Sequence, residues 1–112
     1  MSVRVDERGA RTAVAVVDGR LDLLTASDVK KQLQEAVATG LHRLVVDLHG
    51  VPFIDSSGLG ALIGALKATR IAGGDLRIAR AGEQVRYVLE ISMLDRVLLC
   101  HATVEEALAR YE

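Results

Sequence analysis

Val3 and Val5 alternate with polar neighbours, Glu7-Arg8-Gly9-Ala10 turns the chain, and Thr12 to Val17 resumes a β-rich run that stops at Asp18-Gly19. Alternation on both sides of a glycine-bearing turn predicts a hairpin. Gly19-Arg20-Leu21-Asp22-Leu23-Leu24 reads as a loop leading into a helix, and Thr25-Ala26-Ser27-Asp28 has the form of a capping box with Asp in place of the usual Glu or Gln. Behind it Val29, Leu33, Ala36 and Val37 recur at helical spacing while Lys30, Lys31, Gln34 and Glu35 face away. Gly40 falls where a helix C-cap glycine belongs.

Arg43-Leu44-Val45-Val46-Asp47-Leu48 is short, β-branched and nearly continuous in apolar residues, the pattern of a strand covered on both faces. After the turn Asp55-Ser56-Ser57-Gly58, a stripe of Leu59, Leu62, Ile63 and Leu66 predicts a second helix ending at Gly73-Gly74. Asp75 to Arg80 alternates, with Leu76 and Ile78 on one face, and Val85, Val88 and Leu89 mark a third helix. Val97 to Cys100 predicts a short last strand, and the capping box Thr103-x-x-Glu106 opens a fourth helix carrying Val104, Ala107, Leu108 and Tyr111. The order β-β-α-β-α-β-α-β-α, without linker or repeat, predicts one α/β domain over residues 1–112. Its sheet is mixed and mostly parallel, with the opening hairpin as an antiparallel edge and about four helices.

Composition narrows the function. The chain has 112 residues, enough for one core and too few for two. A net charge of −1 argues against direct nucleic-acid binding, and 3% aromatics leave no base-stacking platform. No apolar run reaches the ~18–20 residues of a membrane span, and the start lacks the apolar stretch of a signal peptide. A single cysteine, Cys100, allows neither an internal disulfide nor a cysteine metal cluster. These features together predict a cytoplasmic protein.

The search for catalysis returns little. His42, His49 and His101 lie in separate segments without ligand spacing, so neither a metal nor another cofactor is expected. Cys100 ends an apolar run and reads as a small buried hydrophobe. HExxH, GxSxG and Walker A sequences do not occur. Asp47 and Asp55 flank one loop, where Asp commonly accepts turn and cap hydrogen bonds. Gly58, Gly60 and Gly64 imitate a dinucleotide fingerprint, but the third glycine falls one residue late. Gly60 and Gly64 instead lie on one helix face, where they would let another backbone or a partner come close. Ser56 and Ser57 at the helix start read first as capping residues. A hydroxyl placed there also lies beside unpaired N–H groups able to accept a phosphate. With no base or oxyanion system beside it, such a serine is a substrate of chemistry and not its agent, so no enzyme is expected.

Three stretches together resemble the STAS family and, within it, the bacterial anti-sigma-factor antagonists. They are Leu44-Val45-Val46-Asp47-Leu48; Val51-Pro52-Phe53-Ile54-Asp55-Ser56-Ser57-Gly58-Leu59-Gly60; and Gly73-Gly74-Asp75-Leu76. They look like the family's strand, its D-S-[ST]-G-L-G phosphorylation loop and its GG-x-L turn. Gly19-Arg20-Leu21-Asp22 with Thr25-Ala26 matches the family's approach to the first helix. The resemblance covers nearly the whole chain. It implies a STAS-like domain that binds an anti-sigma factor which is also a serine kinase, and so frees the sigma factor. Phosphorylation of Ser56 would end that binding, and a serine phosphatase would restore it. Asp55 would shape the loop; Asp22, Ser57, Leu59 and Gly60 would join Ser56 in the docking surface.

Two positions depart from the family pattern. Arg20 stands where many members carry Glu, which reverses a charge near the loop. Met93 replaces the glycine of an S-G-L turn. Two other readings compete with the antagonist: a STAS subunit of another assembly, such as a stress-signalling complex or lipid-transport machine, and a nucleotide-binding module built on the Ser56–Gly60 loop. Sigma factor, kinase, phosphatase, stimulus and oligomeric state are not legible in the sequence.

Overall fold

The computed structural model describes residues 1–111. Strands β1 (Ser2–Glu7) and β2 (Thr12–Asp18) form the opening hairpin. There follow α1 (Ala26–Ala38), β3 (Arg43–Gly50), α2 (Ser56–Ile71), β4 (Asp75–Ala79), α3 (Glu83–Ile91), β5 (Cys100–His101) and α4 (Val104–Ala109). The strands lie in sequence order in one five-stranded sheet. β1 pairs antiparallel with β2, and the pairs β2–β3, β3–β4 and β4–β5 are parallel.

Strand alternation sorts the core into two layers. Ala13, Ala15 and Val17 of β2, Leu44, Val46 and Leu48 of β3, and Leu76 and Ile78 of β4 pack with Val29 and Leu33 of α1, Leu62 and Leu66 of α2, and Val85 and Leu89 of α3. The intervening Val14, Val45 and Ala79 meet Ala107 of α4 on the other face. Three helices therefore cover one face and a single short helix covers part of the other. Tyr111 pins α4 in place, donating from its hydroxyl to the Leu44 carbonyl at 2.8 Å. Burial pushes that phenol well above its usual pKa.

Several local expectations need correction. Thr25 precedes α1 but makes no side-chain cap; its hydroxyl donates to the Arg20 carbonyl at 2.8 Å and accepts from the Asp22 N–H at 3.1 Å. The loop before the helix therefore holds the side chain expected to cap it. The box at Thr103 forms on one side only: Thr103 Oγ1 accepts the Glu106 N–H, while the Glu106 carboxylate reaches the Ala102 N–H and not that of Thr103. The last strand begins later than the apolar run does. The N–H groups of Val97 and Leu98 both bond the Leu94 carbonyl, so this stretch closes a 3-10 turn and Leu98 is buried beneath it. Pairing with β4 uses Leu99 and His101 instead. Met93, at φ 61°, holds a left-handed conformation of the kind glycine adopts without steric cost, so the turn forms with methionine at this position.

Candidate functional site

The site lies where the β2–β3 pairing runs on beyond the sheet. Gly19 N–H bonds the Gly50 carbonyl at 2.9 Å, Leu21 N–H the Phe53 carbonyl at 2.9 Å, and Asp55 N–H the Leu21 carbonyl at 3.3 Å. Leu21 and Ile54 form an isolated parallel bridge and are buried. Two loops that would otherwise be independent are thus joined through their backbones. Asp55 completes the joint. Its Oδ1 accepts the Gly58 N–H at 2.9 Å as the N-cap of α2, and its Oδ2 accepts the Leu23 N–H at 3.2 Å from the other loop. From the far side Gln84 grips Ile54 twice: Oε1 accepts its N–H and Nε2 donates to its carbonyl, both at 2.9 Å.

At Gly58 the start of α2 meets the backbone of the neighbouring loop. A Cβ there would overlap the Leu21 carbonyl oxygen and approach Ile54 Cγ1 to 2.8 Å and Leu21 Cγ to 2.9 Å. The glycine lets the helix start press against the neighbouring loop. Of the three glycines that imitate a nucleotide fingerprint, Gly58 is packed under Leu21, Gly60 has open space at its Cβ position, and Gly64 faces Lys30 Cε. They do not converge on a phosphate cradle. Within the chain, the close backbone approach expected at Gly60 or Gly64 falls at Gly58, against the Leu21 carbonyl, and the open space at Gly60 leaves its face free for a partner.

Ser56 is exposed at the first position of α2, on the helix end whose first N–H groups have no intrahelical acceptor. Ser57 is half-buried and lines a shallow depression between α1 and α2 with Ala26, Ser27, Lys30, Gly60 and Ala61. Leu59 faces inward and belongs to the core. Asp22 is half-buried; its Oδ1 accepts the Leu24 N–H at 3.1 Å and its Oδ2 pairs with Arg20 at 3.3 Å. Arg20 also stacks over the Phe53 ring, 4.2 Å from its centroid. The reversed charge at position 20 is therefore bound to Asp22 and an aromatic face. Beside Ser56's loop, Leu23 and Leu24 project into solvent at 75% and 89% exposure.

Asp47 and Asp55 do not share a site. Asp47 faces the α4 side of the sheet and is gripped by Arg80, at 3.1 Å from Nε and 2.6 Å from Nη2, and by the His49 N–H at 3.1 Å. Burial acts to raise its pKa, but the Arg80 guanidinium and the His49 N–H outweigh that and hold the carboxyl below its ordinary value. Cys100 is exposed and not the buried hydrophobe expected, because it sits on a two-residue edge strand. Partial desolvation and the nearby Asp95 carboxylate push its thiol up to about 11, far from a reactive thiolate. Among the described residues no group of three or more His, Cys, Asp or Glu could hold a metal ion. Among the described residues no helix is long and apolar enough to cross a membrane.

Sequence reasoning missed Gly58, Gln84, Leu23 and Leu24 as parts of this site. Gln84 lies 30 residues from its partner, and no local spacing announces such a clamp. The two leucines were readable as adjacent apolar residues in a loop, a position with no core to bury them.

The family model for the STAS domain matches residues 4–107, and the chain belongs to that family. The anti-sigma F factor antagonist of Paenibacillus polymyxa is 27% identical over 114 residues, covering 100% of this chain and 97% of its own. The anti-sigma-B factor antagonist of Staphylococcus epidermidis is 32% identical over 78 residues, covering 70% of this chain and 72% of its own. Among solved structures, the anti-sigma factor antagonist SpoIIAA in its unphosphorylated form superposes with a TM-score of 0.83 at 22% identity, over 98% of this chain and 96% of that one. Its phosphorylated Bacillus form superposes at 0.75 and 22% identity, over 99% and 100%. Those two likenesses establish the same five-stranded fold.

Proposed function

We propose that this protein is an anti-sigma factor antagonist. Its unphosphorylated form binds an anti-sigma factor that is also a serine kinase, through the joined loops around Asp22, Asp55 and Ser56. Phosphorylation of Ser56 ends the complex and a serine phosphatase restores it. The names of the relatives support the regulatory role, and the existence of a phosphorylated SpoIIAA supports the mode of control. The observation that carries the reading is the exposure of Ser56 at the N-terminus of α2, within a loop braced from both sides by Asp55 and Gln84.

The braced loop determines how the switch works. Phosphate adds roughly −1.5 to −2 charges. The helix end tolerates that charge through its N–H groups and dipole, so the domain keeps its shape. A docked partner has to bury the same charge, which without a matching cation costs several kcal/mol. At ~1.4 kcal/mol per tenfold, this weakens the complex by orders of magnitude. Leu23 and Leu24 supply an apolar anchor, Asp22 and Ser57 supply polar contacts, and Gly60 leaves room for the partner to come close. Leu59 contributes by holding the start of α2 against the core. In this reading the protein acts by binding its partner, the regulatory role that the names of its relatives carry.

The test is incubation with candidate anti-sigma kinases and ATP, with the phosphosite mapped by mass spectrometry and binding measured before and after. Ser56→Ala is expected to bind and resist phosphorylation, Ser56→Glu to fold normally and bind poorly, and Ser57→Ala to be phosphorylated still. Phosphate on Ser57, or unchanged affinity after phosphorylation, refutes the proposal.

A further inference from the structure

At the edge of the sheet formed by the two-residue β5, a cavity of about 660 Å³ opens among residues of β4, α3, β5 and the end of α4. That volume lies within the range of small-molecule sites. Its charged walls are Arg77 of β4, Arg86 and Glu90 of α3, Asp95 of the 3-10 turn, His101 of β5 and Arg110 just after α4. Three guanidiniums thus line one space with two carboxylates. Among the described residues neither Arg86 nor Arg110 takes part in an ion pair, and Arg77 pairs with Asp75 at 3.6 Å and lies 5.8 Å from the centroid of the Tyr111 ring.

Arg77 is the most telling of the three. Its Nε is buried without a hydrogen-bond partner, while its Nη1 lies 3.4 Å from His101 Nε2. A buried, unsatisfied donor on a charged group is costly unless something accepts from it. A second depression, of about 280 Å³, shares Arg77 and Arg110, so these two side chains separate adjoining hollows. The planar fork of a guanidinium matches an oxyanion, and several converging forks match one better than they match each other.

We propose that this cavity binds a small organic phosphate. The phosphate sits on Arg77 and Arg110 beside His101, and the neutral body of the molecule lies along Leu89 and Leu99. Glu90 and Asp95 on the same walls repel a polyanion, so the site takes one phosphate on an uncharged carrier and neither nucleic acid nor polyphosphate. His101 fits this environment as a neutral ring: burial and the facing Arg77 and Arg110 lower its pKa against the opposing pull of Glu106, so it adds no further positive charge before the anion arrives. The site is separate from the Ser56 surface, and its occupancy does not depend on the function proposed there.

The experiment is an NMR titration of the full chain with glycerol 3-phosphate, inorganic phosphate, succinate and sodium chloride at matched ionic strength. Glycerol 3-phosphate is expected to shift the amides of Arg77, His101 and Arg110 saturably, with half-saturation below roughly 10 mM. It should bind more tightly than inorganic phosphate and raise the titration midpoint of His101. The double variant Arg86→Gln/Arg110→Gln changes two exposed residues, so it keeps the fold, and it should weaken that binding at least ~10-fold. Three results overturn the proposal: shifts that sodium chloride reproduces, saturable shifts that the double variant leaves intact, or succinate binding more tightly than glycerol 3-phosphate.

Discussion

Gly58→Ala tests the architecture of the site through the sign of its effect. In a helix interior, glycine to alanine ordinarily stabilises by about 1 kcal/mol. At position 58 the new methyl overlaps the Leu21 carbonyl and crowds Ile54 Cγ1 at 2.8 Å and Leu21 Cγ at 2.9 Å. Overpacking of this kind costs about 1–3 kcal/mol. Moving the Leu21 carbonyl also strains the bond from Asp55 N–H, worth about 0.5–1.5 kcal/mol. The sum, less the gain in propensity, is a loss of ~0.5–3.5 kcal/mol, centred on ~2 kcal/mol. For a chain of this length that lowers the melting temperature by roughly 5–15 °C. Gly60→Ala lies two residues further along the same helix with open space at its Cβ, and should stabilise by up to about 1 kcal/mol. Urea and thermal unfolding followed by circular dichroism measure both. A Gly58→Ala variant as stable as the parent would show that the loops are not pressed together at this point.

Further expectations concern stability elsewhere. Met93→Gly relieves a left-handed residue whose side chain is 63% exposed, and should gain about 0.5–1 kcal/mol in urea unfolding. Gln84→Ala leaves both Ile54 backbone groups unpaired and should cost about 1–3 kcal/mol, with faster hydrogen exchange at the Ile54 amide. The Asp47 carboxyl is held below its usual pKa, so the stability it contributes is fully present above its unfolded value near 3.8 and is lost as pH falls through the folded value. The stability gap between the parent and Asp47→Asn should therefore be widest near neutrality and narrow below about pH 4; a gap that widened on acidification would contradict the pairing with Arg80.

The fold was legible because its strands and helices follow their own periods. Leu44, Val46 and Leu48 face one layer and Val45 the other, as alternation requires. Local signals failed where a side chain or backbone group had a distant competitor. Thr25 left its cap position for the Arg20 carbonyl, and Leu98 gave its N–H to a turn. At the site, the capping role of Asp55 is written in Asp-Ser-Ser-Gly, but its bond to Leu23 is not, because it spans 32 residues. The reason for Gly58 likewise lies in Leu21, which no spacing rule connects to it.

The two-loop joint divides labour among neighbouring residues. Leu21, Ile54, Asp55, Gly58 and Gln84 hold the shape from within, while Leu23, Leu24, Ser56 and Gly60 face outward. Outward residues of this kind can change with little thermodynamic penalty to the domain, and contributions from sites without shared partners add nearly independently. A cell carrying several such proteins could keep their signalling circuits insulated by varying the outer set alone, each variant inheriting the same inner frame.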